Sequence, residues 1–217
     1  MVIYGAAPPD VIRPPILVAG FLALAAVASS SACSRSNATA GFWFDRDAFI
    51  LPSEALAQLG GPLTAPEIVT IDRIARAEIE RAFAGLRITL TSKHDAFWRV
   101  TVLATVRNKG PIPSAGQSIA LGPLGGDGSV GFGILALHAI RYAPKGASRH
   151  EVIEAIGRGV GRAAVHEFAH QIAGTADSDA DENSYEFGRS DRASQYYGEL
   201  HWTTALPVLR QKLGPQQ

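Results

Sequence analysis

The chain has very little cysteine and no excess of charge. Cys33 is its only cysteine, so it can form neither an intrachain disulfide nor a cysteine-rich zinc site. Lys plus Arg and Asp plus Glu number 20 each, which gives a formal net charge of zero. Nucleic-acid-binding proteins usually carry a basic excess, so we expect no nucleic-acid partner. Hydrophobic residues make up 47% of 217 positions, enough for one globular domain with a substantial core and a short appendage.

An apolar run near the N-terminus is typical of an export signal. Ile16 to Ala28 contains no polar side chain, and small residues lead from it to Cys33. Ser30 to Cys33 resembles the lipobox of bacterial lipoproteins, in which the cysteine is lipidated, although the first lipobox position is usually Leu or Val. The run is near the lower limit for crossing a bilayer, so an uncleaved anchor and an ordinary secretory signal are the alternatives. We predict a leader and linker over 1–40, a domain over 41–217, and a location in the cell envelope.

Helix and strand patterns in the rest of the chain predict an α+β fold. Thr64 and Glu67 have the spacing of a capping box and precede apolar residues at helical intervals. This predicts an amphipathic helix that ends near Gly85. Alternating polar and apolar residues then predict strands at Arg87 to Thr91 and at Trp98 to Arg107.

A glycine- and proline-rich stretch from Lys109 to Gly133 includes a GxGxxG sequence at Gly126 to Gly131. A dinucleotide site would need a strand before this sequence and a helix after it. The apolar segment Val130 to Ile140 favours a strand, so we predict a loop followed by a strand. His94, between the two earlier strands, is expected to lie in a solvated turn.

A second capping box begins at Ser148 and predicts a long helix from about Arg149 to Ala173. Glycine is unfavourable inside a helix, so three glycines here indicate either a break or a close approach to a sheet. They are Gly157, Gly159 and Gly161. An acidic loop follows this helix, and a final helix is predicted around Thr203 to Leu213.

The long predicted helix contains His166-Glu167-Phe168-Ala169-His170, an HExxH motif. Four residues correspond to roughly 400° of helical rotation, so the two imidazoles lie on one face, one turn apart. Both can then bind one zinc ion, while Glu167 lies on an adjacent face and can act as general base toward a water. The alternative is a pair of surface histidines. The apolar neighbours of the motif argue against it, because unpaired histidines are unfavourable in a buried segment.

HExxH on a helix, with strands before it and Gly174 after it, resembles the zincin superfamily of zinc metallopeptidases. The resemblance implies zinc-dependent hydrolysis of peptide bonds and a mixed sheet flanked by helices. It also implies a cleft beneath an edge strand that pairs with extended peptide, and Val130 to His138 is the candidate for that strand. A third protein ligand is implied as well, with one coordination position left for water.

The third ligand is chosen among several residues after His170. Metzincins continue with Gly-x-x-His or Gly-x-x-Asp, and Gly174 to Asp177 has this interval with the glycine one residue late. The methionine turn of that family is absent, because Met1 is the only methionine. Gly-Thr-Ala-Asp also resembles the GTxD of aspzincins, without their later Tyr-Gly at the expected spacing. We favour Asp177. The alternatives are Asp179, Asp181, His201 and, as in gluzincins, Glu186 or Glu199.

Two functions fit these observations. The first is a zinc peptidase anchored in the envelope, with Tyr185, Tyr196 or Tyr197 either stabilising the oxyanion or simply packing. The second is a non-catalytic envelope lipoprotein that uses a zincin-like fold as a binding module. Glu167 favours the first, because a structural zinc needs no base beside an open coordination position.

Overall fold

The computed structural model describes residues 38–107, 113–175 and 177–216. Over these residues the protein is mixed α/β, with a five-stranded mixed sheet and six helices. Of the predicted leader and linker over 1–40, residues 1–37, including Cys33, lie outside the described residues, whereas 38–40 belong to the first strand. No helix in the described ranges is both long and apolar enough to cross a membrane.

Five of the seven described strands form one mixed sheet. The strands are β1 (Ala38–Phe44), β2 (Ile88–Thr91), β3 (Trp98–Leu103), β4 (Val106–Arg107), β5 (Pro113–Ser114), β6 (Gly116–Ala120) and β7 (Gly126–Gly131). Their order in the sheet is β2-β1-β3-β7-β6. The first four are mutually parallel and β6 is antiparallel to β7, so β6 is an antiparallel edge strand. The strands β4 and β5 pair separately.

Helices pack on the sheet around one apolar core. They are α1 (Ser53–Leu59), α2 (Ala65–Ala82), α3 (Phe132–Arg141), α4 (Arg149–Ala173), α5 (Ser194–Tyr197) and α6 (Ala205–Leu213). Phe42 of β1, Val100 of β3, Ile71 of α2 and Ile156 of α4 are all fully buried in this core. The long helix α4 contacts three strands and four other helices, so the HExxH motif lies on the most central element of the fold.

The starts of α2 and α4 confirm the two predicted capping boxes. The Glu67 carboxylate accepts a hydrogen bond from Thr64 N at 2.8 Å, and the Glu151 carboxylate accepts one from Ser148 N at 2.7 Å. These bonds satisfy backbone N–H groups that a helix start leaves without partners. The predicted helix from Arg149 to Ala173 is continuous and ends at the left-handed Gly174.

The glycines inside α4 mark a close approach to a helix, not to a sheet. A β-carbon at Gly157 would lie 2.9 Å from Ile74 Cβ, and one at Gly161 would lie 2.5 Å from the Ala75 carbonyl oxygen. Both neighbours belong to α2. The two helix backbones therefore approach more closely than any larger residue would allow, and α4 continues through this region without a break.

The segment Val130 to Ile140 was predicted to be a strand, and this prediction is wrong. The central strand β7 ends at Gly131, and α3 begins at Phe132. The buried positions of α3 recur at helical spacing; they are Phe132, Gly133, Leu135, Ala136 and Ala139. A short apolar run does not separate a buried strand from a buried helix by periodicity alone, which explains the error. The prediction that Val130 to His138 forms the edge strand of the cleft is wrong for the same reason. The edge strand beside the HExxH motif is β6.

The GxGxxG sequence is strand β7 itself, not a loop. This strand is hydrogen-bonded to β3 on one side and to β6 on the other. A β-carbon at Gly126 or Gly128 would approach the Gln171 side chain to 2.6 or 2.8 Å. The glycines thus allow α4 to pack closely on the middle of the sheet. Gln171 also binds the backbone N and O of Arg99 on β3, at 3.2 and 3.0 Å.

Candidate metal centre

His166 and His170 lie one turn apart on α4 and face each other. Their Nε2 atoms are 2.9 Å apart, and their side chains are 15% and 24% exposed. The helix holds both Cα positions, so the pair needs no tertiary contact to come together. The predicted placement of both imidazoles on one face of a helix is confirmed.

Backbone carbonyls fix the orientation of both imidazole rings. His166 Nδ1 lies 2.9 Å from the Tyr185 oxygen, and His170 Nδ1 lies 2.5 Å from the Thr175 oxygen. A carbonyl oxygen can only accept, so each Nδ1 is the donor. In the neutral rings the lone pair is therefore on Nε2, as in many metal sites where the second ring nitrogen is bound to a carbonyl.

Asp177 places a carboxylate oxygen next to the Nε2 atoms of both histidines. Its Oδ1 lies 3.1 Å from His166 Nε2 and 2.9 Å from His170 Nε2. The chain reaches this position by ending α4 at Gly174, whose φ of 67° suits glycine. Gly188 packs against Asp177, and a β-carbon at Gly188 would lie 2.7 Å from Asp177 Cβ. Asp177 is 64% exposed, so the group is open to solvent on this side.

Three atoms with available lone pairs therefore converge, and such a group can hold a metal ion. Burial alone would lower the pKa of His166, but Asp177, Glu167 and the Tyr185 carbonyl raise it above its ordinary value. When the His166 ring is protonated, its Nε2–H donates to Asp177, and this hydrogen bond holds the pKa of Asp177 below its ordinary value. Within the described residues this is the one group of three such side chains close enough to share an ion. We call His166, His170 and Asp177 the metal-binding group, because together they could hold such an ion.

Glu167 lies beside this group but is directed toward the edge strand. Its side chain is 5% exposed, and burial raises the pKa of Glu167 against the opposing effect of the two histidines. Its Oε2 and the Ser118 Oγ of β6 have no partner at ordinary hydrogen-bond geometry among the described residues, although Ser118 is close enough to lower the pKa of Glu167. A buried carboxylate with a free oxygen, next to but outside the ligand group, has the position expected of a general base.

Gly116 makes room for this carboxylate. A β-carbon at Gly116 would collide with Glu167 Oε1 and lie 2.9 Å from Glu167 Cδ. The first residue of β6 is therefore in direct contact with Glu167. No sequence motif points to this residue, because the contact depends on how β6 lies across α4.

The alternative ligands lie elsewhere. The Glu186 carboxylate accepts hydrogen bonds from Thr203 N and Ala205 N at the start of α6, at 2.7–3.1 Å. Glu199 is 93% exposed. Asp181 pairs with His201 at 3.0 Å. Asp179 is exposed and is not part of the metal-binding group.

The three candidate tyrosines have packing roles. The Tyr196 hydroxyl donates to the Ser190 oxygen and the Tyr197 hydroxyl donates to the Ala139 oxygen, both at 2.8 Å. The Tyr185 ring is 5% exposed and packs on Trp202. His94 is exposed, as expected for a turn, and its ring lies 4.1 Å from that of Trp43.

A cavity of about 800 Å³ adjoins the metal-binding group. Strand β6 and the segment before it form one wall, α4 forms the floor, and residues 187–191 form the opposite wall. His138 of α3 and Arg189 also line it and carry N–H groups. His138 Nδ1 lies 3.2 Å from Ser190 Oγ, and Arg189 pairs with Asp191 at 2.8 Å. Neither residue belongs to a sequence motif, so neither was among the predicted site residues.

Comparison with known proteins does not assign the chain to a family. No protein-family model matches it, and a search of curated proteins found no match.

Proposed function

We propose that the protein is a zinc-dependent peptidase with a zincin-like fold. In this proposal His166, His170 and Asp177 hold the ion and Glu167 is the general base. The observation that carries it is the convergence of two Nε2 atoms and one carboxylate oxygen within 2.9–3.1 Å of one another, beside a buried carboxylate outside the group.

The donor set suits zinc. Two imidazoles and one carboxylate, with the fourth position left for water, are a common set in catalytic zinc sites. Ligand atoms of a tetrahedral zinc, each about 2.0–2.2 Å from the ion, lie roughly 3.3 Å apart. The separations in this protein are within a few tenths of an ångström of that spacing. Both rings are held by carbonyls at Nδ1, so they need not turn to bind an ion.

Glu167 supplies the proton transfers of peptide hydrolysis. Zinc, when bound, polarises a substrate carbonyl and lowers the pKa of a water to about 7. The Glu167 carboxylate accepts the proton that the attacking water loses, and then returns it to the leaving amine. Burial raises the pKa of Glu167, which makes the carboxylate a better proton acceptor than an exposed glutamate.

The edge strand is the proposed site for an extended peptide. Within the described residues β6 is paired only with β7, and four of its five residues line the cavity: Gly116, Gln117, Ser118 and Ala120. A peptide that added to this edge would lie along the cavity beside Glu167, so its backbone would pass the metal-binding group. The N-terminal apolar run and Cys33 support a location in the cell envelope, either as a lipoprotein or through an uncleaved anchor.

Metal content and hydrolysis, measured on the same preparations of full chain, test this proposal. Wild type should contain one zinc per chain and cleave members of mixed peptide pools, with cleavage lost in the presence of chelator. Glu167→Gln should keep the zinc, while hydrolysis falls by roughly 10²–10⁴ because the amide cannot accept the proton. Glu154→Gln, the same change on another face of α4, is the matched control and should alter neither quantity.

The outcomes separate the two candidate functions. His166→Ala combined with His170→Ala should remove both zinc and hydrolysis, and stoichiometric zinc in that variant would refute the site. Full hydrolysis by Glu167→Gln would refute the assigned base. Zinc-loaded wild type that cleaves no peptide pool would favour the binding module instead.

A further inference from the structure

Exposed apolar side chains gather at one end of the sheet. Six large hydrophobic residues are exposed among those described, and four of them belong to this region. They are Phe97 (41% exposed), Ile119 (67%), Leu121 (41%) and Leu124 (77%). We call these four residues the apolar tip. Isolated exposed apolar residues are ordinary, whereas a cluster of them indicates a surface that something covers.

Backbone contacts hold the apolar tip together. Leu121 N donates to the Gly125 oxygen at 2.8 Å, which closes the turn after β6. Gly126 N donates to the Phe97 oxygen at 3.1 Å, and a β-carbon at Gly125 would overlap the Phe97 carbonyl. The turn therefore packs directly on the residue that precedes β3.

The edge strand and its turn carry no charge. No charged residue occurs between Pro113 and Gly126 in the sequence. Exposed edge strands usually carry lysine or other charges, which prevent unwanted pairing. The next carboxylate along the sequence, Asp127, opposes Ile119 and is paired with Arg99 at 3.6 Å. The tip is thus an uncharged, apolar projection.

The N-terminal segment enters the sheet at this same end. Ala40 of β1 pairs with Trp98, Trp98 pairs with Gly126, and Gly126 pairs with Ala120, so these residues lie at one level of the sheet. Phe97 N also donates to Thr39 Oγ1 at 3.2 Å. The first described residue of β1, Ala38, is therefore next to the apolar tip.

The chain that joins Cys33 to this end is short. Four residues, 34–37, separate Cys33 from Ala38 in the sequence. An extended chain covers about 3.3–3.6 Å per residue, so Cys33 and Ala38 are at most roughly 18 Å apart. Lipid attached to Cys33 would therefore keep the start of β1 within about that distance of the bilayer.

We propose that the apolar tip inserts into the interfacial layer of the membrane that anchors the N-terminus. This inference rests on the envelope anchor in the proposed function but not on peptidase activity. The short connection brings the tip's end of the sheet to the bilayer, and uncharged leucines, isoleucine and phenylalanine suit the boundary between headgroups and acyl chains. The lipid surface is the occupant that the entry point of the N-terminal segment favours over a second copy of the chain.

A fluorophore that reports its depth in the bilayer tests this proposal. The full chain is reconstituted with vesicles of phosphatidylethanolamine and phosphatidylglycerol, after Leu124→Cys has been labelled with an environment-sensitive, thiol-reactive dye. Val69→Cys on α2 is the matched control, because Val69 is similarly exposed at 67% but lies away from the tip. Ile119→Cys is a second tip position. Wild type, whose one cysteine is Cys33, gives the background from that residue.

The dye at both tip positions should shift to the blue, be quenched by spin-labelled acyl chains, and be several-fold less accessible to iodide than the dye at position 69. Co-flotation with vesicles, but with equal iodide access at 69, 119 and 124, would overturn the tip contact and leave the anchor standing. A chain that does not float with vesicles would overturn both. Concentration-dependent shielding of position 124 without vesicles would instead assign the tip to a second copy.

Discussion

Asp177 contributes the one oxygen atom of the metal-binding group, and it reaches the histidines from outside α4. Asp177→Asn keeps the size of the side chain but removes its negative charge, so we expect zinc affinity to fall by roughly tenfold or more. Competition against a chromophoric chelator measures this affinity. Asp179→Asn, two residues away and outside the group, is the matched control. Equal affinity in both variants would mean that another residue completes the site.

Gly116 controls the position of Glu167 without contributing a side chain. Gly116→Ala would place a β-carbon against the Glu167 carboxylate, which must then move. We expect hydrolysis to fall by roughly 10²–10⁴, as for loss of the base, while the zinc content is unchanged. The assay is hydrolysis per bound zinc, and Gln117→Ala, at the exposed neighbouring position, is the control. Undiminished hydrolysis would show that the carboxylate acts from a different position.

Among individual residues, some members of the candidate site could be identified from the sequence and others could not. His166, Glu167 and His170 follow from the geometry of one helix, because four residues make about one turn. Asp177 could only be favoured over its alternatives, since its position depends on where Gly174 turns the chain. Gly116 and His138 approach the site through strand and helix packing, and such distances between segments are not encoded in a local motif.

Glu67 joins the start of α2 to the start of α4. Its carboxylate accepts hydrogen bonds from Arg149 at 2.6 and 2.9 Å, and these lower the pKa of Glu67 from 4.5 to about 2. Because the pKa is depressed in the folded protein, the stabilisation is complete above about pH 4.5. It is lost as the pH falls toward 2.

Glu67→Gln tests this link between the two helices. At pH 7 we expect the free energy of unfolding to fall by about 1–2 kcal/mol, because a charged hydrogen-bond acceptor is replaced by an amide. The difference from wild type should shrink as the pH is lowered from 4.5 toward 2. Denaturant unfolding at a series of pH values measures it. Glu80→Gln, exposed on the same helix, is the control, and a difference that did not vary with pH would contradict the ion pair.

The long helices were predictable, and so were β2 and α6 among the shorter elements, whereas other short elements were not. Capping residues and sustained apolar periodicity identified α2 and α4. In contrast, β1 was not predicted, and the strand predicted over Trp98 to Arg107 ends at Leu103, with β4 pairing separately. The edge strand β6 has five residues and no apolar alternation. Strand β7 contains three glycines, of which Gly126 and Gly128 contact α4. Tertiary packing decides the structure of such segments.

For the whole molecule, Cys33→Ser tests how the chain is attached to the envelope. If Cys33 is lipidated, the variant should lack the added lipid mass, and it should either leave the membrane fraction or keep its leader uncleaved. Mass spectrometry and membrane fractionation of expressing cells measure these results. Ser36→Ala, on the other side of the same short linker, is the control. Unchanged mass and partitioning would leave an uncleaved apolar helix as the anchor.

If the chain is an anchored peptidase as proposed, its attachment and the place of the cavity together restrict the substrate. Ala120 is the last residue of β6 before the turn of the apolar tip, and it also lines the cavity. The cavity therefore extends along β6 from Gly116, which contacts Glu167, to the end of the sheet where the N-terminal segment enters. We expect peptides that lie close to the bilayer surface to reach the site more readily than peptides held far from it.

The close packing of α4 against α2 also has a kinetic consequence. With Gly157 and Gly161 in contact with α2, the helix that carries both histidines is expected to open only when the whole domain unfolds. Asp177 lies beyond the end of that helix and is 64% exposed. An ion bound here would therefore leave through movement of the Asp177 segment alone. The time for which the ion stays bound would then depend on how long the Asp177 contact lasts. The two imidazoles would stay in place, so the site could bind an ion again.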